Sequence, residues 1–150
     1  MRLRQWFALS VVLLMLGGAL TACRAGSVDV QGLTLTDEDT MPIEVQNSPQ
    51  RVAETYHFAA ANQDVLEKIP CYCGCGPMGH NSSYACFWQE DGIVETHAMD
   101  CGLCVDIAQD TMSGLRNGRT LAEIRQQIDA DYARFGPSTN TPPVASTQEN

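Results

Sequence analysis

The segment DCGLCVDIAQDTMSGLRNG, residues 100–118, decides the fold. After Asp100, a residue type that caps helix N-termini, Cys101, Cys104, Val105, Ala108, Met112 and Leu115 recur at the i, i+3, i+4, i+7 spacing of one helical face. Asn117-Gly118 then supplies a stop. Two cysteines therefore share the apolar face and are expected to point inward with the core residues. Downstream, Thr120-Leu121-Ala122-Glu123 reads as a capping box. It opens a helix whose Leu121, Ile124, Ile128, Tyr132 and Phe135 fall on one side until Gly136-Pro137. Upstream, Ser48-Pro49 reads as N-cap and first helical position. Val52, Tyr56, Ala59, Gln63 and Leu66 then share a face until Pro70, and His57 lies off that stripe as a solvated residue. Between the first and second helices, residues 84–89 and 93–96 flank Glu90-Asp91-Gly92, a hairpin signal. The expected class is mainly α: a small three-helix domain over residues 48–135, with a cysteine-rich loop and a short β-hairpin.

Outside that domain the composition changes. Arg2 and Arg4 precede an apolar run from Trp6, and Leu20-Thr21-Ala22-Cys23 places small residues just before a cysteine. This resembles the lipobox of bacterial lipoproteins. The resemblance implies a signal peptide over residues 1–22, a Cys23 thiol carrying fatty acyl chains such as palmitate, and a protein held by lipid on the extracytoplasmic face of the bacterial cell membrane. A transmembrane anchor fits less well, since Gly17-Gly18 and Thr21 break the run short of about 20 apolar residues. Residues 23–47 are polar, acidic and without period, as expected of a tether. Residues 136–150, rich in Pro, Ser and Thr, read as a disordered tail. The chain carries nine basic and 18 acidic side chains, and removing Arg2 and Arg4 with the leader leaves seven against 18, a net charge of −11. So acidic a chain, with its basic residues scattered, repels phosphate backbones, and nucleic acid is excluded as a partner.

The chemistry concentrates in Pro70-Cys71-Tyr72-Cys73-Gly74-Cys75-Gly76, followed by His80, Cys86, His97, Cys101 and Cys104. The string PCYCGCG, then a His, then Cys-Phe, then His-x-x-x-Cys-Gly-x-Cys opening a helix, resembles the PCYCGC-motif lipoprotein family over residues 70–132. Three cysteines at alternate positions are a specific signal. The family is defined by its motif, so the resemblance implies domain identity and a lipid-anchored location and no particular reaction.

The residues themselves leave three readings open. Six thiols remain once Cys23 is lipidated. In an oxidising compartment they can form a disulfide framework stapling a small structural or interaction module, with Cys71, Cys73 and Cys75 paired to Cys86, Cys101 and Cys104. Alternatively, six thiolates plus His80 and His97 make eight N/S ligands. That number suits two tetrahedral zinc sites or a thiolate-bridged copper(I) cluster, exchanging its ion with a metal-donor or metal-acceptor protein. The helix beginning near Cys101 should then lower the pKa of Cys101 and Cys104. Thirdly, Cys101-Gly102-Leu103-Cys104 is a CxxC motif compatible with thiol–disulfide exchange, although the βαβ pattern around such motifs is absent. The metal reading leads, with copper or zinc as cofactor, and no cofactor is expected if the cysteines are disulfide-bonded.

Other groups add less. Met78 and Met99 lie beside the cysteines and histidines as secondary thioether candidates, whereas Met112 fits the core stripe. Tyr84, Phe87 and Trp88 read as core cover. No carboxylate pair, phosphate loop or Ser/His/Asp set can be assembled, so no catalytic residue is assigned and no enzyme is required.

Overall fold

The computed structural model describes residues 33, 35–37 and 40–144. The leader over 1–22, Cys23 and much of the tether lie outside the described residues, as do residues 145–150. Among the described residues the chain forms α1 (Ile43–Gln46), α2 (Gln50–Ala61), α3 (Gln63–Leu66), α4 (His97–Asp100), α5 (Gly102–Arg116) and α6 (Leu121–Tyr132). Two 3-10 turns, Gly76–Met78 and Tyr84–Cys86, interrupt the long stretch between α3 and α4. The domain is mainly helical, with the cysteine-rich loop where the sequence puts it. None of the described helices is long and apolar enough to cross a membrane.

Helix α5 is the centre, packed against α2 on one side and α6 on the other. Cys104, Val105, Ile107, Ala108, Thr111 and Met112 are buried along it. Gly114 lets α6 approach, for a Cβ there would lie 2.6 Å from Cγ1 of Ile124. The helix stops as Asn117-Gly118 predicts: Gly118 takes φ +72°, its N–H donates to Leu115 O, and Arg119 N–H reaches back to Gly114 O at 3.1 Å. The capping box at Thr120 and Glu123 is formed in both directions. Ile124, Ile128 and Tyr132 face the core, and the Tyr132 hydroxyl donates to Asp110 on α5 at 2.6 Å.

Several local expectations are corrected. Asp100 does not cap α5. It closes α4, and Cys101 itself, at φ −114°, ψ 93°, is the single extended residue on which the chain turns from one helix into the next. Ser48 does not cap α2 either, since its hydroxyl donates to Val45 O at the end of α1, leaving Pro49 in the cap position. The first helix breaks at Asn62, whose side-chain amide donates to Phe58 O and closes α2, so residues 63–66 form a separate turn. The hairpin shrinks to one antiparallel bridge, Trp88 with Val94, because residues 84–86 wind into a 3-10 turn and leave little extended chain. Gly92, at φ +78°, makes its turn. Phe135 is 54% exposed because α6 ends at Tyr132. His57 is half-buried, its Nδ1 within 3.0 Å of Thr36 O, so it is no purely solvated residue.

The edges at 48 and 135 also move outward. Met41 and Val45 are buried in the core, and residues 136–144 pack across the cysteine loop in place of a disordered start to the tail. Gly136 passes so close to the loop that a Cβ would lie 2.9 Å from Tyr72 O. Buried Thr139 receives Cys71 N–H on its hydroxyl and donates its own N–H to Cys71 O, both at 2.9 Å. Arg125 on α6 fastens this strap, donating to Lys68 O at 2.8 Å and Pro142 O at 2.7 Å. Composition measures apolar burial, and this segment is ordered by hydrogen bonds to loop backbone that has no helical partner.

Candidate metal centre

The loop from Pro70 presents its sulfurs by alternating around Gly74, whose φ of +84° turns the chain between Cys73 and Cys75. Tyr72, between the first two, anchors to α6 through a 2.7 Å hydrogen bond from its hydroxyl to Asp129. Cys86 ends the second 3-10 turn, His97 opens α4, Cys101 precedes α5, and Cys104 lies in the first turn of α5. Cys71, Cys75, Cys86 and Cys104 are buried, whereas Cys73, Cys101 and His97 are partly open to solvent.

These atoms converge. Cys71 Sγ lies 3.4 Å from Cys73 Sγ and 3.6 Å from Cys104 Sγ. Cys73 Sγ is also 3.6 Å from Cys104 Sγ and 3.4 Å from His97 Nε2, and Cys75 and Cys86 approach to 3.7 Å. Among the described residues, none of the six cysteines lies at disulfide-bonding distance from another. Disulfide sulfurs sit about 2.05 Å apart. Two thiolates on one tetrahedral zinc, each about 2.3 Å from the ion, stand about 3.8 Å apart. The observed spacings of 3.4–3.7 Å lie far beyond the first value and just below the second.

Two groups of four have ligand atoms mutually within 4.8 Å: Cys71, Cys73, Cys75 and Cys86, and Cys73, His97, Cys101 and Cys104. Cys73 belongs to both. Two tetrahedra sharing one corner need seven ligands, and these are seven residues. The expectation of eight independent ligands is therefore refined, since a shared thiolate leaves His80 outside both tetrads. His80 instead groups with Cys75 and His97, its ring 5.1 Å from that of His97 and nearly perpendicular to it. His80 Nδ1 is buried with no hydrogen-bond partner, as a ligand atom would be. Met99 is partly buried against the core and Met78 is 62% exposed.

The thiols are not equivalent. Hydrogen bonding from Cys86, with further bonds from His97, Cys75 and Cys71, outweighs burial and brings Cys73 down to about 3. Cys104 is lowered by bonds from Cys71 and Cys86. Cys75 is pushed up to about 11, chiefly because its thiol is engaged with Cys71. Cys86 is raised by its engagement with Cys104 and then Cys71, and Cys101 is raised by burial. The expectation that the α5 terminus lowers both Cys101 and Cys104 thus fails at Cys101. Desolvation outweighs the helix end there, and the lowering at Cys104 comes from neighbouring thiols.

Sequence reading missed the groups that hold the ligands in place. Glu95 Oε1 accepts the His97 backbone N–H at 3.0 Å, its Oε2 lies 4.0 Å from His80 Nε2, and its carbonyl accepts the buried Tyr56 hydroxyl at 2.6 Å. The Glu-x-His spacing was a visible signal for this contact. Nothing in the sequence marks Thr139 as the partner of Cys71.

The fold and site define a small helical domain built around a six-thiol, two-imidazole cluster whose Cys/His groups can hold a metal. The family described as proteins of unknown function with a PCYCGC motif matches residues 21–144, and the chain belongs to it. No curated protein and no solved structure is detectably similar to the chain.

Proposed function

We propose that the protein is a lipoprotein, anchored through Cys23 on the extracytoplasmic face of the membrane, whose thiolate/imidazole cluster captures a soft transition metal, copper(I) or zinc(II), and exchanges it with a donor or acceptor protein. The observation that carries this reading is the pair of four-ligand groups sharing Cys73, with sulfurs spaced for a common ion. Cys71, Cys73, Cys75 and Cys86 would hold one ion and Cys73, His97, Cys101 and Cys104 a second. Soft thiolates select such d10 ions over hard ones. Partial exposure of Cys73, Cys101 and His97 leaves one side open for exchange.

Anaerobic titration of the reduced protein with Cu(I) and with Zn(II), in competition with glutathione, tests it. At least one ion should bind far more tightly than glutathione holds it. Cys73→Ala should weaken both groups, by more than the roughly 10- to 100-fold that changes outside the ligand set cost. His97→Ala should weaken one group without freeing a thiol. Binding no tighter than glutathione's for either ion sinks the reading. A second reading, a disulfide-stapled module, draws on the pairs Cys71 with Cys104 and Cys75 with Cys86, each within 3.7 Å. It predicts that Cys75→Ala exposes one new reactive thiol in protein kept under air.

A further inference from the structure

A cleft of about 610 Å³ opens beside the cluster, between the two 3-10 turns and the Trp88–Val94 bridge. Glu67, Glu90 and Glu95 line it, and carboxylates on such walls concentrate cations. Two further lining residues are buried with polar atoms that have no partner: His80, 9% exposed, through Nδ1, and Ser82, 2% exposed, through Oγ. Buried polar atoms are ordinarily satisfied, so two of them on one cleft wall indicate that a polar or ionic guest completes them. Met78 also lines the cleft and is 62% exposed.

We propose that this cleft is the loading port of the cluster and that its cargo is monovalent copper. Met78 meets the ion at the rim, His80 takes it on the inner wall, and Cys75 and His97, each within ligand distance of His80, receive it into the two tetrads. The proposal rests on the metal-binding reading above and adds route and ion. A thioether is a ligand for Cu(I) and a poor one for Zn(II), so a methionine at the rim sorts the two. Because Cys75 and His97 sit in different tetrads, His80 stands within reach of both. The ion arrives as Cu(I) and stays Cu(I), with no electron transferred, while each thiol that becomes a ligand gives its proton to water.

The test is stopped-flow loading of the reduced full-length protein with Cu(I) as its acetonitrile complex, read by thiolate-to-copper absorbance, with parent, Met78→Leu and His80→Gln side by side. Met78 is exposed, so its variant folds regardless of the role assigned to it. Both variants should load about tenfold more slowly, a steering-sized effect. Met78→Leu should reach the parent's final copper content, and Zn(II) loading should be unchanged by it. Either variant loading Cu(I) at the parent's rate overturns the port while leaving the cluster intact. So does a fall in final copper content in His80→Gln, which would make His80 a resident ligand. Failure of the parent itself to bind Cu(I) removes the port, and if Zn(II) also fails, the metal reading goes with it.

Discussion

The two halves of this domain are held together by different means. Between α5 and α6 the contacts are complete in themselves: Gly114 under Ile124, a full C-terminal turn at Gly118, a two-way capping box, and Tyr132 bonded to Asp110. From Ile69 to Cys101 the described chain has only two 3-10 turns, one bridge and the four-residue α4, and it carries five cysteines, three of them buried, with no covalent partner. Its backbone is satisfied partly from outside, by Thr139 at Cys71, and partly by scattered bonds of its own such as Ser83 N–H to Ile69 O at 2.7 Å. Apolar packing and helix chemistry stabilise the first half unaided, whereas the second would be completed by the metal proposed for its thiols.

The largest difference should come from removing that ligand. A structural metal in small domains contributes on the order of 10 kcal/mol to folding, so reductant with a chelator should raise amide exchange across residues 71–104 by more than about a hundredfold. The same treatment should leave α6 close to its starting protection. Slow exchange maintained in both regions would erase the distinction.

Acidity should separate the halves next. Cys75, Cys86 and Cys101 have raised pKa values and remain thiols at neutral pH, so an ion entering their groups must expel their protons. Cys73, already a thiolate, adds no such requirement. Each proton displaced makes binding weaker as pH falls, so between pH 6 and 8 affinity should rise with pH, from these thiols by up to about two decades per unit for an ion in the group with Cys75 and Cys86 and about one for an ion in the group with Cys101. A competition titration repeated across that window measures the slope, and a flat profile would show that these thiols are not ligands.

The smallest effects sharpen the contrast. Gly114→Ala forces Ile124 aside, and overpacking of about 1–3 kcal/mol exceeds the roughly 1 kcal/mol gained in helix propensity. Thr139→Val leaves the buried Cys71 N–H without its acceptor, a loss of about 1–3 kcal/mol. Denaturant midpoints should fall for both variants, and only Thr139→Val should also weaken metal binding, because it releases the backbone that carries Cys71.

This division matches what could be read from the sequence. The 3.6-residue period, Asn117-Gly118 and Thr120 with Glu123 are local signals, and α5 and α6 follow them in the main, although Cys101, Leu115 and Leu121 are only partly buried and Phe135 falls beyond α6. The inward direction of Cys104 followed from the same stripe. What failed was nonlocal or finely balanced. Thr139 lies 68 residues from Cys71, in a segment whose composition gives no sign of order. The break at Asn62 depends on one side-chain amide turning back to Phe58 O, and the choice of Cys101 over Asp100 depends on α4 forming just before it. Spacing counted the candidate ligands, but only the folded loop shows that Cys73 belongs to both groups of four and that His80 stands apart.

Whether the six thiols hold a metal is tested most directly by the intact mass, with thiol counting, of protein recovered anaerobically from its own membrane. The expected result is a lipidated chain carrying copper or zinc that acid strips away, leaving six reactive thiols. A metal-free chain lighter by two hydrogens for each of three disulfides, with no thiol to count, would contradict it.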